Sequence, residues 1–219
     1  NKPVNLVIKN FGGNALTSAT VKWTVNGIEQ TPFNWTGNLP SAICDTFQVG
    51  NYVFDELIAY TIDAWTEMPN GVPDATPDND LFSTGVFYAS LAGTYTVGGF
   101  APDFNLVSDL ETILNTAGIV NNVTFQFRPG EYVEALSITD FPRIAYAHTV
   151  TFTSESGDST DVILTQNANN TVLVDLDDAH RITFSHLSLT NTKSHIFQIR
   201  NGSSQISISN SSLEGPTAL

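Results

Sequence analysis

The feature that most constrains this fold is a repeat near the end of the chain. Val172-Leu173-Val174-Asp175-Leu176 can be laid over residues 194–199, with Val174 above Phe197 and Leu176 above Ile199. Asp177-Asp178-Ala179 then falls on Arg200-Asn201-Gly202. After one inserted residue, Ile182 and Phe184 fall on Ile206 and Ile208, and Leu189 on Leu213. The period is 23–24 residues, with three short alternating strands in each. A single unit of that length cannot bury its apolar side, and stacking such units makes the shared core. The repeat predicts the coils of a parallel β-helix. A second antiparallel sandwich is the competing reading, which the coil-over-coil match disfavours.

The residues before the repeat fit the same pattern. Strands are predicted at 123–127, 132–138, 150–153 and 162–165, with Val123, Phe125 and Phe127 on one face. Residues 103–117 form the one good helical stretch. Leu106, Leu110, Ile113 and Leu114 recur at helical spacing, with Asp103 or Asn105 to cap the start and Gly118 to end it. One amphipathic helix ahead of stacked strands suits a lid over the end of the stack.

The first part of the chain reads differently. Strands are predicted at residues 4–9, 20–25, 28–31, 42–49, 59–65 and 82–88. Val21, Trp23 and Val25 share a face, and Asn26-Gly27 follows at once, a hairpin turn signal because both residues tolerate positive φ. Short strands at this spacing suggest a sandwich. The expected organisation is all-β: an immunoglobulin-like sandwich over residues 1–92, then the N-terminal coils of a parallel β-helix, truncated, over 93–219, with its capping helix near 103–117; the resemblance given below implies that the β-helix is right-handed.

Composition agrees and narrows the partners. Val, Ile, Phe, Thr, Ser and Asn dominate, which favours strands. The net charge is −14, spread along the chain: residues 1–90 carry 9 acids and 3 bases, residues 91–219 carry 13 acids and 5 bases. Such a surface repels phosphate backbones and anionic bilayers, which excludes nucleic acid as the expected partner. No stretch approaches the ~18 apolar residues of a membrane span, so no membrane insertion is expected. The single cysteine, Cys44, allows no internal disulfide and reads as a small buried side chain.

Two resemblances add to this. Val4-Asn5-Leu6-Val7-Ile8-Lys9-Asn10-Phe11-Gly12, Val21-Lys22-Trp23-Thr24-Val25-Asn26-Gly27 and the acidic loop from Pro69 to Asp80 resemble the CARDB-like, immunoglobulin-like domains of bacterial surface proteins. Gly93-Thr94-Tyr95-Thr96-Val97-Gly98-Gly99, and the segment from Val123 through Pro129-Gly130 and Tyr132 to Glu134, resemble the opening of right-handed β-helix regions in large exported Bacteroidetes proteins. The resemblance implies an extracellular or cell-surface location and a structural or adhesive role rather than a reaction. It also implies a parent polypeptide, and an extracellular polysaccharide or cell-surface partner.

Candidate site residues are few. Asp74, Asp78 and Asp80 offer oxygen ligands of the kind Ca²⁺ takes, although the Gly and distal Glu of an EF-hand loop are missing; the competing reading is a solvated Pro-Asp turn. Trp35 offers a platform for a sugar ring, against the commoner reading of a packed aromatic. Asp175, Asp177 and Asp178, with His180 and Arg181 beyond them, are the carboxylates a β-helix polysaccharide lyase or glycoside hydrolase would need, but turn Asp is commonplace. No catalytic set is therefore assigned, no cofactor other than calcium is suggested, and the alternative roles are a carbohydrate-binding module or an enzyme fragment.

Overall fold

Alternation of apolar and polar residues lays out the strands of an all-β protein. The computed structural model describes residues 1–141, 147–169 and 171–216. Two units are distinguished, Asn1–Ala89 and Ser90–Leu219.

The first unit contains β1 (Lys2–Lys9), β2 (Leu16–Val25), β3 (Ile28–Glu29), β4 (Phe33–Leu39), β5 (Cys44–Tyr52), β6 (Ile62–Glu67) and β7 (Phe82–Ser83). β1 and β5 form a two-stranded antiparallel sheet. β2 is central in the other sheet. β3 and β4 run along one side of it, β6 along the other, and β7 lies beyond β6. Asn26 and Gly27 sit at φ 49° and 75° between Val25 and Ile28, which face each other across the hairpin. Val4, Ile8, Val21, Trp23, Val25, Trp35, Ile62 and Ala64 belong to its core.

Three expectations are corrected here. β4 is a strand where none was predicted, built on Phe33, Trp35 and Leu39. The strand expected over 82–88 is only Phe82–Ser83. Cys44 is exposed rather than buried, because it opens β5 directly opposite the outward-facing Lys9.

The second unit contains β8 (Leu91–Val97), α1 (Val107–Ala117), β9 (Ile119–Phe127), β10 (Gly130–Val133), β11 (Leu136–Ile138), β12 (Val150–Ser154), β13 (Val162–Thr165), β14 (Val174–Asp177), β15 (Ile182–Ser185), β16 (Ser188–Thr190), β17 (Phe197–Arg200), β18 (Ser207–Ser209) and β19 (Ser212–Glu214). From β9 onward the chain visits three sheets in rotation. The sheets read β18-β15-β12-β9-β8, β10-β13-β16-β19 and β11-β14-β17, and their pairings are parallel. The register is the one the repeat predicts: Val174 faces Phe197, Leu176 faces Ile199, Phe184 faces Ile208 and Leu189 faces Leu213.

Inward side chains stack along that register. Tyr95, Phe125, Phe152 and Phe184 form a column with centroid steps of 5.9, 5.3 and 5.1 Å. The chain bends between strands at residues with positive φ that recur one circuit apart: Asp178 and Asn201, Arg181 and Gln205, His186 and Asn210.

α1 covers the first strand edge of the third sheet. Glu111 Oε2 accepts from the Ser137 N–H, and Asn115 donates to the Ser137 carbonyl and accepts from the Thr139 N–H. The helix begins at Val107, not near 103, because Asp103 is used elsewhere: its carboxylate accepts from the Thr96 N–H and hydroxyl. The open N–H groups of Val107 and Ser108 donate to Glu134, which suits the positive end of a helix dipole. Gly118 ends the helix at φ 65°, its N–H donating to Leu114.

Candidate functional site: an uncharged outer face

Strand alternation places every second residue of the five-stranded sheet outward. Two columns result. The first runs Thr94, Thr124, Thr151, Thr183, Ser207, and the second Thr96, Gln126, Thr153, Ser185, Ser209. Each strand contributes one residue to each column, on either side of an inward Tyr, Phe or Ile. All ten outward positions are partly or fully exposed. None carries a charge, in a chain of net charge −14. Neighbouring strands stand about 4.8 Å apart, and residues i and i+2 are about 6.6 Å apart along a strand. The face is therefore a regular grid of hydroxyl and amide donors and acceptors. Thr96 is engaged by Asp103 at the β8 edge.

The sequence carries the signal as the recurring triplets Thr94-Tyr95-Thr96, Thr124-Phe125-Gln126, Thr151-Phe152-Thr153, Thr183-Phe184-Ser185 and Ser207-Ile208-Ser209. Reading the inward residues alone misses it.

The acidic candidates lie on the third sheet. Asp175 and Asp177 point outward from β14, and Arg200 on β17 joins them. Its Nε and Nη2 reach Asp175 at 3.1 and 2.9 Å, and its Nη1 reaches Asp177 at 2.7 Å. The two carboxylates hold the guanidinium pKa above its ordinary value. Asn201 donates to Asp177. Asp178 sits at the corner, 3.3 Å from His180 Nε2, and His180 Nδ1 lies 2.8 Å from the Ser204 hydroxyl. Arg181 holds a left-handed corner at φ 57°. Arg200 and Asn201 thereby tie β17 to β14, and the Arg200 charge is matched by Asp175 and Asp177.

The sequence-predicted sites of the first unit are placed as follows. Trp35 is 4% exposed, its ring against Gly37, where an added Cβ would lie 2.7 Å from the indole. Its N–H donates to Asp45. A ring so enclosed presents no face to a sugar. Asp74 accepts from the Thr76 N–H, and Asp80 from the Thr66 hydroxyl. Burial pushes the Asp80 carboxyl up, the Thr66 hydroxyl draws it down, and Asp74 nearby adds to the rise. Asp78 lies in a short 3-10 turn, Pro77–Asn79. Among the described residues, no three His, Cys, Asp or Glu side chains are grouped to hold a metal ion, so the structure does not bring Asp74, Asp78 and Asp80 together as a ligand set. No helix among the described residues is long and apolar enough to cross a membrane.

Compared with protein-family models, with curated proteins and with solved structures, the chain matches none.

Proposed function

We propose that this chain is a non-catalytic adhesive module, in which an immunoglobulin-like sandwich carries the first coils of a right-handed parallel β-helix. The partner is an extended, uncharged polysaccharide outside the cell. The observation that carries this reading is the charge-free grid of Thr, Ser and Gln on the five-stranded sheet. A flat, repeating ligand rich in hydroxyls can exchange hydrogen bonds with such a grid at many points. Each contact is individually weak, at about 0.5–1.5 kcal/mol net, and affinity comes from their number. None of the ten grid positions is itself charged, and Asp175, Asp177 and Asp178 belong to the third sheet and its corner, which favours neutral polymers over polyuronates.

The test is co-sedimentation with insoluble neutral β-linked polysaccharides, together with an assay for released sugar. Retention without release is expected. Thr151→Lys, which places a strongly hydrated charge in the centre of the grid, should weaken retention about tenfold. No retention on any neutral polysaccharide, or retention indifferent to Thr151→Lys, would overturn the reading. Sugar release that depends on Asp175 or Asp178 would replace it with the enzyme reading.

A further inference from the structure

The sandwich of the first unit is uneven, and the unevenness points to a second binding site. One sheet is two strands wide, β1 and β5; the facing sheet extends from β3 and β4 through β2 and β6 to β7. Phe82 on β7 pairs directly with Ala64 on β6, so the two side chains share the core face. Ala64 is 6% exposed and Phe82 59%. Nothing in the narrower sheet reaches across to cover Phe82.

Between them lies a cleft of about 370 Å³. Leu6, Ile8, Val21, Phe47, Ala64 and Phe82 belong to its apolar lining, and Lys9 and Asp80 are its charged lining residues. Its wall on the narrow side is β1, which pairs with β5 along one edge only among the described residues. A strand with one neighbour turns alternate N–H and C=O groups toward its open edge.

We propose that this cleft takes an extended peptide, added as a third strand to the free edge of β1. Alternate side chains of the peptide enter between the sheets and cover Phe82. Lys2, Pro3 and Lys9 sit at the two ends of β1, and such residues discourage indiscriminate edge pairing. The stretch they enclose, Val4 to Ile8, has the length of an ordinary strand, about five residues. Lys2 and Lys9 make no ion pair among the described residues; Lys9 lies over the Phe11 ring at 4.7 Å. A peptide with apolar residues at alternate positions and acidic ends therefore matches both the floor and the flanks. A second copy of the chain fits poorly. Two β1 strands paired antiparallel about their middle set Lys2 opposite Lys9 at both ends, and like charges directly opposite are destabilising. A glycan would leave the free main-chain edge without a matching partner.

The test uses the full chain and a fluorescein-labelled, amidated heptapeptide, Glu-Val-Thr-Ile-Thr-Val-Glu, followed by fluorescence polarisation. Saturable binding is expected, weakened about tenfold or more by Phe82→Asp. Because Phe82 is already exposed, the melting temperature should barely move. Two further peptides carry N-methyl groups, one on the Val and Ile residues and the other on the Thr residues. Strand addition uses only one alternating set of N–H groups, so one of the two should fail and the other bind. The proposal is overturned by absence of saturable binding at millimolar peptide, or by equal binding of both N-methylated peptides. A chain dimer in sedimentation that the peptide does not displace would also overturn it. None of these outcomes bears on polysaccharide retention by the second unit.

Discussion

Among single residues, Asn191 does the most for its size. It is fully buried, donates from Nδ2 to the carbonyls of Thr171 and His195, and accepts at Oδ1 from the N–H groups of Lys193 and Ser194. One amide thus satisfies three main-chain groups of the bend between β16 and β17 and a fourth, at Thr171, just before β14. Asn191→Ala is expected to cost about 3 kcal/mol in urea unfolding, since those groups are left unpaired away from water. Asn191→Asp should also destabilise, because an ionised carboxylate cannot donate to the two carbonyls. Nothing in the sequence marks Asn191 apart from other loop asparagines. The bends are similarly hard to read. Asn201, Asn210 and His186 are residue types found more often than most at positive φ, but Arg181 and Gln205 adopt it too, against their own preference. The stacked circuit imposes that conformation, and local sequence does not encode it. By contrast, the shared face of Val123, Phe125 and Phe127 was legible, because alternation alone decides which side they take.

At the scale of elements, the strands of the repeat were legible to within a residue or two, while the helix start and β4 were not. Trp35 reads from sequence as a sugar platform or, more commonly, a packed aromatic; Phe33, Trp35 and Leu39 alternate as a strand does, and the core claims Trp35 and Leu39. The helix start was displaced because Asp103, a plausible cap, is occupied by Thr96 in another strand. α1 itself leads to a pH prediction. Burial pushes the Glu111 carboxyl up, the Ser137 N–H pulls it down, and nearby Glu134 adds to the rise. The folded state therefore holds this proton more tightly than the unfolded chain. The resulting stability is fully present below the ordinary glutamate range and is lost as pH rises through the raised folded value. Glu111→Gln keeps an acceptor for Ser137 and removes the titration. Melting curves across that window should show the wild type gaining on the variant as pH falls; parallel curves would contradict the assignment.

For the whole molecule, two cores imply two separate responses to damage. Trp35→Ala and Phe152→Ala each remove a buried aromatic, at a cost of about 3–5 kcal/mol. Hydrogen exchange should show lost protection mainly in β1–β6 for the first and mainly in β9–β18 for the second. Loss across both units from either change would contradict the division at Ala89 and Ser90. The side chains of α1 have a further consequence. By meeting Ser137 and Thr139 as a neighbouring strand would, they fix which strand of the third sheet stands first. Every later circuit then lies a set number of steps from that point, at about 4.8 Å per step. The unit works as a ruler with its zero engraved by the helix, and a chemical group attached at Thr124, Thr151 or Thr183 is placed at a known graduation along it.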